Sequence, residues 1–198
     1  MIKSKYITAF QQLSKKPVFS SAEGRAAGIP ARMLAYFSAK GYIERVARGI
    51  YRIKNVDFDR DFEWEDLVLS VLSIPNGIIC LISALCYYGL TDEIMREFWI
   101  AVPHTTTSPE RENTRIVRMR NTSLGKTMIK IGNQKLKIFD RERTIVDAFR
   151  YLDQETALKS LNAYLKTNKN TKPNIEKLLK YAKKLRVDLK KYISALII

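Results

Sequence analysis

The sequence has little of what metal centres and disulfides are made of. Its 198 residues include two cysteines and one histidine. A structural zinc site takes about four cysteine or histidine ligands, and Cys80 and Cys86 lie in an apolar stretch that contains no histidine. We therefore expect two buried free thiols in a reducing compartment. We also expect no bound metal ion and no cofactor.

The motifs of common enzyme classes are missing as well. There is no Gly-x-x-x-x-Gly-Lys-Ser/Thr loop for nucleoside triphosphates, no Gly-x-Gly-x-x-Gly for dinucleotides and no His-Glu-x-x-His for zinc. The single histidine, His104, lies in a loop rich in proline and hydroxyl residues, without a nucleophile motif beside it. These absences predict a protein without catalytic residues, which is not an enzyme.

One enzyme hypothesis stays open, that of a metal-dependent nuclease. Two-metal hydrolysis uses clustered carboxylates and a lysine, and the sequence offers Asp140, Glu142, Asp147 and Lys137. Asp140 and Glu142 stand at the start of a helix predicted over residues 141–151, where carboxylates interact favourably with the helix dipole. Helix capping is therefore the favoured interpretation of the same residues.

Long hydrophobic runs are absent too. No stretch approaches the roughly 18 consecutive apolar residues that would span a bilayer, and no basic N-terminal region precedes an apolar run as in a secretory signal. We therefore expect a cytoplasmic protein that contacts no membrane.

Negative charge is scarce and unevenly placed. The formal net charge is +15, with +9 in residues 1–54, −8 in residues 55–110 and +14 in residues 111–198. Clustered cations gain affinity for nucleic acid by releasing its condensed counterions. Two basic lobes therefore predict two surfaces able to meet a polyanion, and a merely solubilising surface is the alternative.

The N-terminal lobe has the pattern of a DNA-binding domain. Apolar spacing predicts helices over residues 4–13, 21–27 and 30–40, and Ser20 and Glu23 have the spacing of a capping box before the second helix. Two β-prone runs, 42–47 and 50–53, meet at Arg48-Gly49 and predict a hairpin. Three helices followed by a basic hairpin are the order of a winged helix-turn-helix. We assign this domain to residues 1–56.

The third helix of such a domain enters the major groove, and the hairpin touches the DNA backbone. Arg32 is placed to make a bidentate contact with guanine, while Arg45, Arg48 and Arg52 form a basic cluster on the hairpin. The alternative is that Arg45 or Arg52 pairs with Glu44 or another acid. The full set expected to contact DNA is Ser20, Ser21, Arg25, Ala31, Arg32, Tyr36, Lys40, Arg45, Arg48 and Arg52.

Residues 57–198 predict a second, mixed α/β domain that ends in helices, which places the chain in the α+β class. Periodicity predicts helices over residues 64–72, 83–88, 141–151, 153–168, 173–186 and 188–197. It predicts strands over residues 78–81, 98–102, 115–119, 127–131 and 134–139, with a turn at Gly132-Asn133 between the last two.

In this order and spacing the sequence resembles the AbiEi antitoxins of abortive-infection, type IV toxin–antitoxin systems. The N-terminal residues that carry the resemblance are Phe19-Ser20-Ser21, Gly28-Ile29 and Val46-Ala47-Arg48-Gly49-Ile50-Tyr51-Arg52. The C-terminal ones include Ile82-Ser83-Ala84-Leu85, Trp99-Ile-Ala-Val-Pro103 and Arg143-Thr-Ile-Val-Asp147. The sequence departs from the family at Ala31 and Tyr36, where basic residues are commoner.

The resemblance implies a cytoplasmic antitoxin that represses its own operon and counters a nucleotidyltransferase-like toxin. Its partners would be double-stranded operator DNA with inverted repeats and a cognate toxin, contacted directly or not, and the protein would be a monomer in solution. The alternative is a stand-alone winged-helix transcription factor whose second domain senses a ligand or partner. The basic residues assigned to an antitoxin surface are Arg115, Arg118, Arg120, Arg141, Arg143, Lys180 and Lys184.

Overall fold

The computed structural model describes residues 4–16, 18–54, 64–107, 111–132, 134–166 and 172–197. It contains helices and two β-sheets, so the predicted α+β class is confirmed. The chain divides into two compact units, Met1–Ser73 with Lys130–Leu136, and Ile74–Ile129 with Lys137–Ile198. The domain boundary predicted at residues 56 and 57 lies outside the described residues and stays a prediction.

The first unit contains the three helices and the hairpin predicted for the N-terminal domain, one additional strand and one further helix. Its elements are a 3-10 turn at Ser4–Tyr6, α1 (Ile7–Leu13), β1 (Phe19–Ser20), α2 (Ser21–Ala26), α3 (Ala31–Ala39), β2 (Ile43–Ala47), β3 (Ile50–Ile53) and α4 (Glu65–Ser73). The strands form an antiparallel sheet in the order β1-β3-β2. Strand β1 escapes prediction because two residues show no periodicity.

The core of the first unit forms around α3. Leu34 and Phe37 are 1% exposed and form the inward face of this helix. The rings of Tyr6 and Phe10 meet Phe37 edge-on, with centroids 5.5 and 5.0 Å away. Aromatic pairs favour this edge-to-face geometry because the positive ring edge meets a negative ring face. This packing sets the orientation of α3, so the face opposite Leu34 and Phe37 is turned to solvent.

The capping box predicted before α2 is present. The Ser20 hydroxyl accepts a hydrogen bond from the Glu23 backbone N–H, and the Glu23 carboxylate accepts one from the Ser20 backbone N–H. Two of the backbone donors that a helix start leaves without partners are satisfied in this way.

The larger sheet consists of β4 (Ile78–Ile79), β5 (Phe98–Pro103), β6 (Thr114–Met119), β7 (Lys126–Ile131) and β8 (Gln134–Phe139). Its order is β6-β5-β4-β8-β7. Strand β4 is antiparallel to β5 and parallel to β8, while β5 and β6 are parallel. The sheet is therefore mixed, and β6 and β7 are its edges. The turn predicted between β7 and β8 includes Asn133, which is not among the described residues.

Five helices accompany this sheet in the part of the second unit that the structure describes: α5 (Leu81–Tyr87), α6 (Arg141–Tyr151), α7 (Gln154–Leu165), α8 (Ile175–Leu185) and α9 (Lys190–Ile197). They share one apolar cluster, whose buried members include Leu85, Ile145, Leu161, Leu178 and Ile193. No helix within the described ranges is long and apolar enough to cross a bilayer.

The predicted strand over 78–81 is too long. Observed β4 ends at Ile79 because Cys80 is the N-cap of α5, and its carbonyl accepts the hydrogen bond of the Ala84 N–H. Helix α8 begins at Ile175 and not at Pro173, since the Asn174 side chain caps it by accepting from the Lys177 N–H. An apolar run alone does not show where a strand gives way to a helix.

Cys80 and Cys86 are free thiols, as predicted, with Cys80 fully buried and Cys86 half-buried. Burial raises the pKa of both thiols above the ordinary value, and well above it for Cys80.

The assignment of Arg143 to a surface is wrong. Its side chain is buried in α6, with Nε 2.6 Å from the Asp147 carboxylate and Nη1 donating to the Leu124 carbonyl at 3.1 Å. Its guanidinium lies 4.6 Å from the centre of the Phe139 ring. A buried charge is tolerated only when it is paired and hydrogen-bonded. The sequence contained the signal for such a pair, since Arg143 and Asp147 are four residues apart on one helix face.

We expect Gly125→Ala to destabilise the protein by about 3 kcal/mol, combining positive-φ strain with overpacking. Gly125 has φ +70°, and an added Cβ would lie 2.6 Å from the Cβ of Arg143. The matched control is Gly89→Ala, with φ +62° and no atom within 4 Å, for which we expect a loss of about 1 kcal/mol. Urea unfolding measures both. Equal losses of stability in the two variants would show that the residues around Gly125 accommodate the added methyl group at no energetic cost.

Candidate nucleic-acid interface

The exposed face of α3 has the composition that the sequence predicted. Arg32, Tyr36 and Lys40 follow one another at intervals of four residues, and all three side chains are exposed. Residues four apart lie on one face of a helix, so these side chains form a continuous stripe. Tyr36 is 49% exposed, which is high for an aromatic side chain. Ala31 is exposed beside this stripe.

Two basic side chains extend from the β2–β3 hairpin. Arg45 and Arg48 are exposed, and neither forms an ion pair with any residue that the structure describes. Gly49 has φ +78°, a conformation that glycine adopts without strain. The hairpin therefore presents two cations beside a tight turn.

The hairpin is attached to the beginning of α2. The Ser21 backbone N–H donates to the Gly49 carbonyl at 2.8 Å, and the Ser21 hydroxyl donates to the same oxygen at 3.3 Å. Ser20 and Ser21, both predicted to contact DNA, thus also hold the local structure together. Arg25, on the same helix, is exposed.

Arg52 differs from the other two hairpin arginines. It donates to Glu44 on β2 at 2.8 Å and to Glu65 on α4 at 2.9 Å. The hydrogen bond to Glu44 raises the pKa of Arg52, and so does the charge of Glu65. The alternative in which Arg52 pairs with an acid is therefore confirmed. The basic cluster available for phosphates is reduced from three arginines to Arg45 and Arg48.

The residues assigned to an antitoxin surface lie on separate elements. Arg115, Arg118 and Arg120 are exposed on or just beyond the edge strand β6, although Arg115 pairs with Glu97 and stacks on the Trp99 ring at 4.2 Å. Arg115 and Arg118 are three residues apart, so their side chains point to opposite faces of the strand, and yet both are exposed.

Further along the chain, Lys180 and Lys184 are exposed on α8. Arg141 is half-buried at the start of α6, with its guanidinium 5.0 Å from the centre of the Tyr164 ring. The exposed residues of this set therefore fall into two clusters on different elements. One is on or just beyond β6, and the other is on α8.

The acids of the nuclease hypothesis are bound to protein groups. Asp140 caps α6 by accepting from the Arg143 N–H at 2.8 Å, as the capping interpretation predicted. Lys177 lies 3.0 Å from the Asp140 carboxylate and 2.9 Å from that of Glu142. Tyr164 donates its hydroxyl to Glu142 at 2.8 Å. These groups connect α6, α7 and α8.

The remaining members of the nuclease set are also engaged. Asp147 accepts from Arg143 and from Arg150, and the Lys137 ammonium is 3.4 Å from the Asn76 amide oxygen. No group of three or more His, Cys, Asp or Glu side chains among the described residues is arranged to hold a metal ion. His104 is exposed at the end of β5.

The pKa values of the α6–α8 contact follow from its geometry. Burial alone would raise the pKa of Glu142, but hydrogen bonds from Lys177 and Tyr164 hold it below its ordinary value of 4.5. Burial alone would lower the pKa of Lys177, but its bonds to Glu142 and Asp140 raise it above its ordinary value of 10.5. Both groups are therefore charged near neutral pH.

Comparison with known proteins finds a family match in the N-terminal part of the chain. Residues 11–54 match the family described as "Transcriptional regulator, AbiEi antitoxin". This match confirms the resemblance to AbiEi antitoxins, and it covers α2, α3, the three-stranded sheet and part of α1. No curated protein matches the chain. The segment with the exposed α3 stripe and the basic hairpin is thus similar to a family of transcriptional regulators.

We expect Lys177→Met to destabilise the protein by about 1 kcal/mol at neutral pH, after allowance for solvent screening. The lysine stem is retained, but Asp140 and Glu142 lose their shared cation. Because the folded pKa of Glu142 is lowered, the stabilisation is present above pH 4.5 and is lost as the pH falls through the folded value.

The difference between wild type and Lys177→Met in urea unfolding should therefore shrink below pH 4.5. The matched control is Lys180→Met, which removes an exposed cation from the same helix. A difference that stayed constant into acid would show that the Lys177–Glu142 pair does not contribute.

Proposed function

We propose that the protein is an antitoxin of an abortive-infection, type IV toxin–antitoxin system, which represses its own operon in the cytoplasm. A winged helix-turn-helix within residues 1–56 would bind operator DNA, and residues 57–198 would counteract a nucleotidyltransferase-like toxin without catalysis. The observation that carries the proposal is the family match at residues 11–54, on the segment that presents the α3 stripe and the basic hairpin.

The first unit supports the winged assignment through its topology. Helices α2 and α3 precede an antiparallel hairpin, and β1 completes a sheet with that hairpin. In winged helix-turn-helix domains the helix after the turn enters the major groove. Arg32, near the N-terminal end of α3, is then in reach of base edges, where arginine pairs with the O6 and N7 of guanine.

The hairpin has the chemistry of a contact to the DNA backbone. Arg45 and Arg48 are exposed cations without an ion-pair partner in the described ranges, so little has to be broken before they meet phosphates. Contacts of this kind set the position of a protein on DNA and carry no direct sequence information. Arg52 instead joins the hairpin to α4.

We assign the second unit to the antitoxin role. Its exposed cations on β6 and α8, with Arg118, Lys180 and Lys184 among them, are available for a toxin or for nucleic acid. The partners of the whole chain would be double-stranded DNA with inverted repeats and the toxin of the same operon, and the protein would act as a monomer. A stand-alone transcription factor is the second candidate, since the family match covers the DNA-binding segment alone.

Arg32→Ala should separate the two activities. We expect operator affinity to fall by about 10- to 100-fold, because a bidentate guanine contact is lost, with little change on random duplex. Repression of a reporter should be lost, while rescue of growth from the toxin of the same operon should persist. Wild type that represses but never rescues would identify the stand-alone transcription factor. Equal weakening on both DNAs would assign Arg32 to phosphate contact.

The salt dependence of operator binding should distinguish the hairpin arginines. Each phosphate contact contributes about 0.9 to the slope of log affinity against log salt. The Arg45→Ala/Arg48→Ala double variant should therefore have a slope shallower by about 1.8. Arg52→Ala is the matched control and should keep the wild-type slope, because Arg52 is bound to Glu44 and Glu65. Parallel lines for the double variant, with its fold confirmed by circular dichroism, would exclude the hairpin as a phosphate contact.

A further inference from the structure

A groove in the second unit is lined by α8, by the connection that follows it and by Lys190, the first residue of α9. It has a volume of about 920 Å³, and its floor is formed by Leu179, Ala182, Val187 and Leu189. The floor is aliphatic throughout, which makes this an apolar recess on a strongly basic helix pair.

The rim of this α8–α9 groove is cationic. Lys180, Lys183, Arg186 and Lys190 line it, and in the described part of the chain none of the four forms an ion pair. Clustered cations with no internal partner favour an anionic ligand.

Two acids also line the groove and reduce its positive charge without cancelling it. Glu176 lies in the first turn of α8, and Asp188 accepts a hydrogen bond from the Lys190 backbone N–H. Asp188 is thereby directed to the start of α9. Four cations against two carboxylates leave the rim basic.

Arg186 supports a role for the rim. It caps α8 in the left-handed conformation, with φ 59° and ψ 44°, and the Val187 N–H closes the turn on the Ala182 carbonyl. Glycine is the residue that takes this position without strain. Here a strained arginine occupies it and places a guanidinium on the groove, and non-glycine residues in such conformations cluster at binding sites.

We propose that the α8–α9 groove docks an acidic amphipathic helix of a protein partner. The aliphatic floor accepts the leucine-like face of such a helix, and the basic rim pairs with carboxylates along its sides. Nucleic acid fits less well, because none of the lining residues is aromatic and bases bind single-stranded sites by stacking on aromatic rings. The assignment rests on the proposed function, since Lys180 belongs to the exposed cations assigned there to the antitoxin role, and it adds the chemistry of the partner that they would meet.

The test uses the full chain and a fluorescein-labelled synthetic helix of about 15 residues, with leucines on one face and glutamates elsewhere. A peptide of the same composition with scrambled order has no apolar face and serves as the ligand control. Single-stranded and duplex DNA oligonucleotides are the competitors. Fluorescence anisotropy measures affinity, and thermal unfolding measures Tm.

The matched variants are Lys183→Glu and Lys184→Glu, which change the net charge equally at neighbouring exposed positions of α8, of which only Lys183 lines the groove. We expect Lys183→Glu to weaken the amphipathic peptide about tenfold and Lys184→Glu to change it less than about twofold. Arg186→Gly should weaken binding while Tm stays equal or rises, because glycine relieves the strained turn.

Four outcomes would overturn the proposal. These are no binding of the amphipathic peptide, equal binding of the scrambled one, equal effects of the two α8 charge reversals, and displacement of the peptide by DNA in a manner that depends on Lys183. The last outcome would assign the groove to nucleic acid. Operator binding by wild type and Lys183→Glu, measured in parallel, separates failure here from failure of the proposed function.

Discussion

The buried ion pair between Arg143 and Asp147 is the constraint around which the second unit is organised. A guanidinium without water must satisfy its donors inside the protein, and here the partners come from α6 and from the Leu124 carbonyl before β7. Gly125 follows directly, and its backbone carbonyl accepts from the Asp140 N–H. One buried charge therefore fixes the start of α6 against the chain segment that leads into β7, and it requires a residue without a side chain at position 125.

Sequence periodicity was sufficient for the helices of the first unit and insufficient for the partners of its charges. The inward positions Leu34 and Phe37 follow from helical spacing, since burial of one face repeats along the chain. The double pairing of Arg52 does not, because Glu65 is 13 residues away in sequence. Only the contact between the hairpin and α4 brings Arg52 and Glu65 together, so the sequence left open whether Arg52 faces DNA or an acid.

The C-terminal half shows the same limit in another form. Its helices were predicted to within a few residues, yet Arg143 was assigned to a surface with the other cations. From residue type alone every arginine is predicted to be exposed, because charged side chains are seldom fully buried. Arg115 and Arg118 are both exposed although they lie on opposite faces of β6. Alternation along a strand predicts which side chains are exposed only where one of its two faces is covered.

The attachment of the hairpin to α2 has a thermodynamic consequence. Because the Ser21 N–H and hydroxyl both bind the Gly49 carbonyl, the turn that carries Arg48 is already ordered before any ligand arrives. Fixing the backbone of a free loop costs about 1 to 2 kcal/mol per residue in conformational entropy, and this turn has met that cost during folding. Association with a polyanion should then proceed as a nearly rigid-body encounter, in which desolvation and ion release, and not loop ordering, set the entropy change.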